Sequence, residues 1–291
     1  MLRFGCQTYS WQMSLERYVG RLDHICNVVG RAGFSGLEAE MVMLGNIATA
    51  DSLRHLLEGG GLELAALTLV EDWDGEHETE AERVSAQAAI DLTASFDGTL
   101  LVLCQMPGQD RQDLRERQKH LLSCVRDIAS RAEEAGVKTT FHPNSPDGSI
   151  FRTSEDYEVL LTGLPSSVGF TPDLGHIARG GMDALTVVRQ YRNRVNHLHA
   201  KDMDAAGNWA LIGSGVVGVT EVVDFLRETG YEGWVVLEDE SSLAKQDPDG
   251  VAERLGRYVK EVLRRQEESW MAGGQSQVST GVRAHGVPGQ K

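Results

Sequence analysis

Four residues could together hold a metal ion, and each closes a strand-like run: His142, Asp173, His199 and Glu238. Two carboxylates and two neutral imidazoles make a compact mixed oxygen and nitrogen cage carrying two negative charges, which suits Mn²⁺, Co²⁺ or a similar first-row divalent ion and leaves positions for water or substrate. Alone, each is more often structural than functional. Their common placement at successive strand ends is what carries weight.

The stretch 167–202 shows how two of them are brought together. Ser167 to Thr171 reads as a strand stopped by Pro172, with Asp173, Gly175 and His176 in the turn that follows. Ala184, Leu185, Val188 and Tyr191 recur at helical spacing, and Val195 to His199 then alternates as a strand does, so His197 and His199 point the same way. Strand, helix and strand in so short a length form a βαβ unit, and ligands in parallel α/β folds bind at the carboxyl ends of strands. Asp173 and His199 are expected to meet there.

The rest of the chain repeats this alternation. Strands are expected at Leu2 to Thr8, 33–40, Leu62 to Leu69, Leu100 to Gln105, Val137 to Phe141 and Trp234 to Leu237. Helices are expected at about 15–32, from an Asp51 cap to Gly59, at about 76–96, 110–135, 220–229 and 249–265, and after a Thr153 or Ser154 cap. Eight strands alternating with helices predict an α/β protein, a single closed (β/α)8 TIM barrel, rather than an open sheet. One barrel domain over 1–268 and a disordered tail over 269–291 are expected, because the tail is poor in apolar residues and has no periodicity.

Forty-three acidic residues against twenty-eight basic ones give a formal charge of −15. That repels nucleic acid and anionic membrane surfaces. Cys6, Cys26, Cys104 and Cys124 show no CxxC spacing, which predicts a reducing, cytoplasmic setting, and neither a signal peptide nor a membrane span is expected.

At the mouth of such a barrel Gln7, Tyr9 and Trp11 would follow the first strand, an amide and aromatic group able to line a sugar-sized pocket or simply to pack. Glu38 and Glu40 share one face of the second strand, and one of them should reach the mouth. Gln105 ends the fourth strand. His197 is expected to be a core group that orients ligands rather than a ligand. Trp73 fits a pocket wall and ordinary packing equally.

The motifs FHPN (141–144), PDLGH (172–176), VNHLHAKD (195–202) and GYEGWVVLEDE (230–240) resemble the xylose-isomerase-like TIM barrels, the sugar phosphate isomerases/epimerases, and within them the inosose dehydratase branch. The resemblance covers nearly the whole barrel. The epimerase branch has a glutamate where this chain has His142, so its paired-glutamate chemistry is incomplete here. What the resemblance implies is a divalent metal, Mn²⁺ first and Co²⁺, Mg²⁺ or Zn²⁺ as alternatives, held by Asp173, His199 and Glu238, with His142 as fourth ligand or substrate group. The implied activity is isomerisation, epimerisation or dehydration of a keto-sugar or keto-inositol through a metal-stabilised enediolate. Glu238 or His142 would be the base, and His176 or Lys201 the acid. Gln7, Tyr9, Trp11, Glu38, Gln105, His176 and Lys201 would bind substrate. No basic phosphate cradle is evident, which favours an unphosphorylated sugar or polyol.

Two rival readings share the barrel. One is a lyase for 3-keto C-glycosides that works with a small partner subunit, and a homo-oligomer is a further expectation. The other is an apurinic endonuclease with three zinc ions, against which the negative charge and the single cage of ligands both argue.

Overall fold

The computed structural model describes residues 2–45, 47 and 49–264. The tail expected at 269–291 lies outside the described residues. Eight parallel strands form the barrel: β1 Arg3–Gln7, β2 Gly36–Glu40, β3 Glu63–Glu71, β4 Leu100–Gln105, β5 Lys138–His142, β6 Gly169–Phe170, β7 His197–Ala200 and β8 Trp234–Leu237. Each pairs with its neighbours in chain order, and β8 pairs with β1. The last seam, β6 to β7, is closed by two parallel bridges, Phe170 to Val195 and Asp173 to His199, with the His199 amide donating to the Pro172 carbonyl at 3.0 Å.

Strand alternation decides which side chains enter the bore. Val235 and Leu237, like Leu101 and Leu103, join the large apolar core between sheet and helices. Trp234 and Val236 cluster with Ala65, and Leu100 and Val102 with Ala66, in two small groups apart from that core. Carrying the same parity upward brings Glu238 from β8, His142 from β5, and His197, His199 and Lys201 from β7 into the bore. The lower end is plugged by Trp234, whose indole passes so close to Gly36 that a Cβ there would sit 2.6 Å from it.

Helix starts follow ordinary capping chemistry. Thr79 with Glu82 and Thr153 with Asp156 form capping boxes on helices Glu80–Thr93 and Ser154–Gly163. Asp173 caps the short helix Leu174–Arg179, its Oδ1 accepting from the His176 amide at 2.7 Å. A short antiparallel hairpin, Asp202–Met203 with Trp209–Ala210, stands over the mouth in a segment expected to be loop.

Three local expectations are corrected. The helix expected at about 15–32 is two, Leu15–Tyr18 and Leu22–Arg31, separated by Gly20 at φ 73°. Thr49, not Asp51, caps helix Ala50–Gly60. The sixth strand has two residues rather than five: the Val168 amide is held in a turn by the Pro165 carbonyl at 3.1 Å, and at the other end Pro172 lacks an amide proton and Asp173 has turned to start its helix. Among the described residues no helix is long and apolar enough to cross a membrane.

Candidate active site

His142, Asp173, His199 and Glu238 converge at the carboxyl end of the barrel. His142 Nε2 lies 3.5 Å from Asp173 Oδ2, which lies 3.9 Å from His199 Nδ1, which in turn lies 3.1 Å from Glu238 Oε2. All four residues are buried. Both ring nitrogens of His142, Asp173 Oδ2 and His199 Nδ1 make no well-directed hydrogen bond, an expensive condition for buried polar atoms unless something else satisfies them. Donors of these types, this close and without well-directed hydrogen bonds, fit a divalent cation. Asp173, His199 and Glu238 form one such group and His142, Asp173 and His176 a second, while Glu38, His197 and His199 form a third deeper in the bore.

Capping explains why Asp173 is split in role. Oδ1 is committed to the helix amide, which leaves Oδ2 aimed at the cluster. His199 is split likewise: Nε2 lies 2.9 Å from both oxygens of Glu38, so Nδ1 faces Asp173 and Glu238.

Lys201 occupies the flank. Its ammonium lies 3.1 Å from Asp173 Oδ2 and 2.8 Å from Glu238 Oε1, touches Glu240 Oε1, and is 3.3 Å from His176 Nε2. Burial disfavours its charge, but Asp173, Glu238 and Glu240 more than compensate and hold it well above the usual lysine range. Conversely, burial would raise Asp173 and Glu238, and the Lys201 charge brings both down. His199 is opposed by burial yet raised to about 10 by Glu38 and Glu238, whereas burial and Lys201 push His176 down to about 3. His176 is therefore a neutral imidazole, with Nδ1 2.8 Å from Ser145 Oγ.

A cleft of about 180 Å³ opens beside the cluster, lined among others by Gln7, Tyr9, Gln105, His142, His176, His199 and Glu238. Larger hollows surround Arg3, Phe96 and Trp234 at the other end of the barrel, where no ligating group of three stands among the described residues.

Some expected substrate residues are elsewhere. Trp11 is fully buried on helix Tyr9–Gln12, and its Nε1 donates to Asp249 Oδ1 at 2.7 Å, so it packs against the outer helices rather than the cleft. Trp73 is buried too. Glu38 lies inside the bore, accepting from Thr68 Oγ1 at 2.6 Å with His197 Nε2 at 2.6 Å. Burial opposes its charge, but His199 and His197 keep the carboxyl well below its usual range. Glu40 is the second-strand carboxylate at the mouth, held by Gln12 Nε2 at 2.7 Å and Gln7 Nε2 at 3.4 Å. Glu240, which lies beyond the eighth strand, also lines the cleft and was not singled out from sequence. The motif EDE at 238–240 was its only signal.

The family model described as xylose isomerase-like TIM barrel matches residues 27–262. Inosose dehydratase of Lacticaseibacillus casei is 26% identical over 151 residues, which is 45% of this chain and 50% of that protein, so the chain spans about half the length of such relatives. Rhizopine catabolism protein MocC of Rhizobium meliloti is 28% identical over 262 residues, 78% of this chain and 76% of that one. Among solved structures, the IOLI protein with a binding zinc atom superposes with a TM-score of 0.71 at 16% identity, covering 91% of this chain and 99% of its own; the likeness is one of fold.

Proposed function

The chain belongs to the xylose isomerase-like TIM barrel family, and we propose that it is a divalent-metal-dependent enzyme that removes water from a keto-inositol or keto-sugar. The observation that carries the reading is the convergence of Asp173 Oδ2, His199 Nδ1 and His142 Nε2, buried and without well-directed hydrogen bonds, with Glu238 at the mouth of the barrel. Relatives named inosose dehydratase favour dehydration over isomerisation.

Asp173, His199 and Glu238 would hold the ion, with Mn²⁺, Co²⁺ or Zn²⁺ all suited to the donor set. When bound, a divalent cation supplies Lewis acidity toward a substrate carbonyl and its neighbouring hydroxyl. Glu238 has both oxygens engaged, Oε1 by Lys201 and Oε2 facing His199, whereas neither ring nitrogen of His142 makes a well-directed hydrogen bond. His142 Nε2 is therefore the acceptor that takes the proton from the carbon beside the carbonyl. The hydroxyl one carbon further leaves as water. Its proton comes from the Lys201 side of the cleft, where the ammonium is held between Glu238 and Glu240. Neutral His176 fixes Lys201 from the other side.

Gln7, Tyr9, Glu40 and Gln105 line the cleft and would bind substrate hydroxyls. All four cysteines are free and buried, which supports a reducing, cytoplasmic setting. The test is to incubate Mn²⁺-loaded protein with keto-inositols and keto-sugars and look by mass spectrometry for a product lighter by one water. D173N should lose both metal and product, and H142A should keep metal and lose product. An H142A variant that fails to take up metal would make His142 a ligand and return the base role to another group.

A further inference from the structure

Glu38 belongs to β2, whereas His197 and His199 belong to β7, and β1 and β8 lie between them in the sheet. The Glu38 carboxylate therefore reaches across the bore. There it meets Nε2 of His197 at 2.6 Å, Nε2 of His199 at 2.9 Å and the Thr68 hydroxyl at 2.6 Å, with no exposure to solvent. We propose that Glu38 is a positioning residue for the metal centre: it holds the Nε2 proton of His199 and so presents the Nδ1 lone pair to the ion. The inference rests on the metal-dependent reading of the site.

Three observations carry it. An ionised carboxylate buried in a barrel core is costly, and apolar side chains of like volume would fill the same space, so packing alone does not account for it. Both oxygens of Glu38 lie at equal distance from His199 Nε2, which fixes the plane of the ring as well as its tautomer. On the far side of that ring Nδ1 has no well-directed partner and faces Asp173 and Glu238. Outer carboxylates that orient ligating imidazoles in this way typically contribute a 10–100-fold gain in metal affinity. His197, which donates from the other side, steadies the carboxylate, and its one ion pair among the described residues is with Glu38.

E38Q is the informative change. An amide replaces one of the two carboxylate oxygens with an NH2 donor, so the histidine facing that group can no longer donate from Nε2 and must move its proton to Nδ1. Full-length protein freed of metal is titrated with Co²⁺, with affinity followed by calorimetry and geometry by the visible absorption of the ion. Wild type should take up one Co²⁺ that D173N does not. E38Q should bind about 10–100-fold more weakly, with a shifted absorption spectrum, while H197Q keeps near-wild-type affinity because Glu38 still holds His199.

Should E38Q bind Co²⁺ as wild type does, with the same spectrum and only a lower melting temperature, Glu38 is a fold residue and the inference is overturned, with the metal reading intact. Absence of Co²⁺ uptake by wild type would instead sink the metal reading and this inference together. For the case in which E38Q does not fold, ¹⁵N–¹H long-range NMR on Zn²⁺-loaded wild type decides. A retained proton on His199 Nε2 supports the role, and a proton-free Nε2 contradicts it.

Discussion

Lys201 Nζ lies 2.8 Å from Glu238 Oε1, and its ammonium is buried among Asp173, Glu238 and Glu240. Removing one member of a buried charge cluster leaves the others uncompensated, at a typical cost of 3–5 kcal/mol. K201M should therefore lower the melting temperature of the metal-free protein sharply. A divalent ion added to K201M supplies the missing charge, so metal should stabilise K201M more than it stabilises wild type. Equal stabilisation of the two would show that the ammonium and the ion do not share the same carboxylates.

Metal removal gives a second expectation. An ion that binds only the folded chain adds about 2.7 kcal/mol at a hundredfold excess over its dissociation constant. Chelation should lower the melting temperature of wild type and leave that of D173N unmoved. Calorimetric scans with and without a chelator check this.

Glu40 supplies the pH dependence. Burial comes first and the Glu238 charge adds to it, and against the hydrogen bonds from Gln12 and Gln7 they push its carboxyl up to about 7. The unfolded chain releases that proton near pH ~4.3. Between that value and about 7 the folded state holds more protons than the unfolded state, so stability from this group is fully present below the window and falls as pH rises through it. E40Q removes the penalty. In the metal-free protein E40Q should gain on wild type by up to ~3 kcal/mol between pH 4 and pH 8. A difference that does not change with pH would mean that Glu40 titrates normally.

The barrel floor makes a separate prediction. Because a methyl group on Gly36 would collide with the Trp234 indole at 2.6 Å, G36A should destabilise the protein by about 1–3 kcal/mol. Turnover per folded molecule should be unchanged, since Gly36 lies at the opposite end of the bore from the cleft. Urea denaturation alongside activity separates the two effects.

Much of the cage could be read from residue order because a strand's alternation is local: once Trp234 and Val236 face the bore, Glu238 must follow, and His197 predicts His199 in the same way. The closed (β/α)8 barrel followed from the same repetition. What was hidden depends on distant partners. Trp11 turned outward because Asp249, 238 residues later, takes its indole proton. Glu38 and Glu40 share a strand face, and their order along the bore depends on how far β2 rises before its end, in a strand whose pairing with β3 slips at Leu37 and Glu38. Glu240 follows the last strand residue by three positions, where alternation no longer applies.

The most direct test of the central claim is to follow a keto-inositol by NMR in D₂O with the Mn²⁺-loaded protein, quenching and removing the paramagnetic ion before each spectrum. The account predicts solvent deuterium at the carbon beside the carbonyl or its enol product, together with loss of water, and neither in H142A or after chelation. Deuterium exchange without loss of water would replace dehydration by isomerisation at the same site. No exchange on any keto-inositol or keto-sugar, with metal demonstrably bound, would contradict proton abstraction by this cluster.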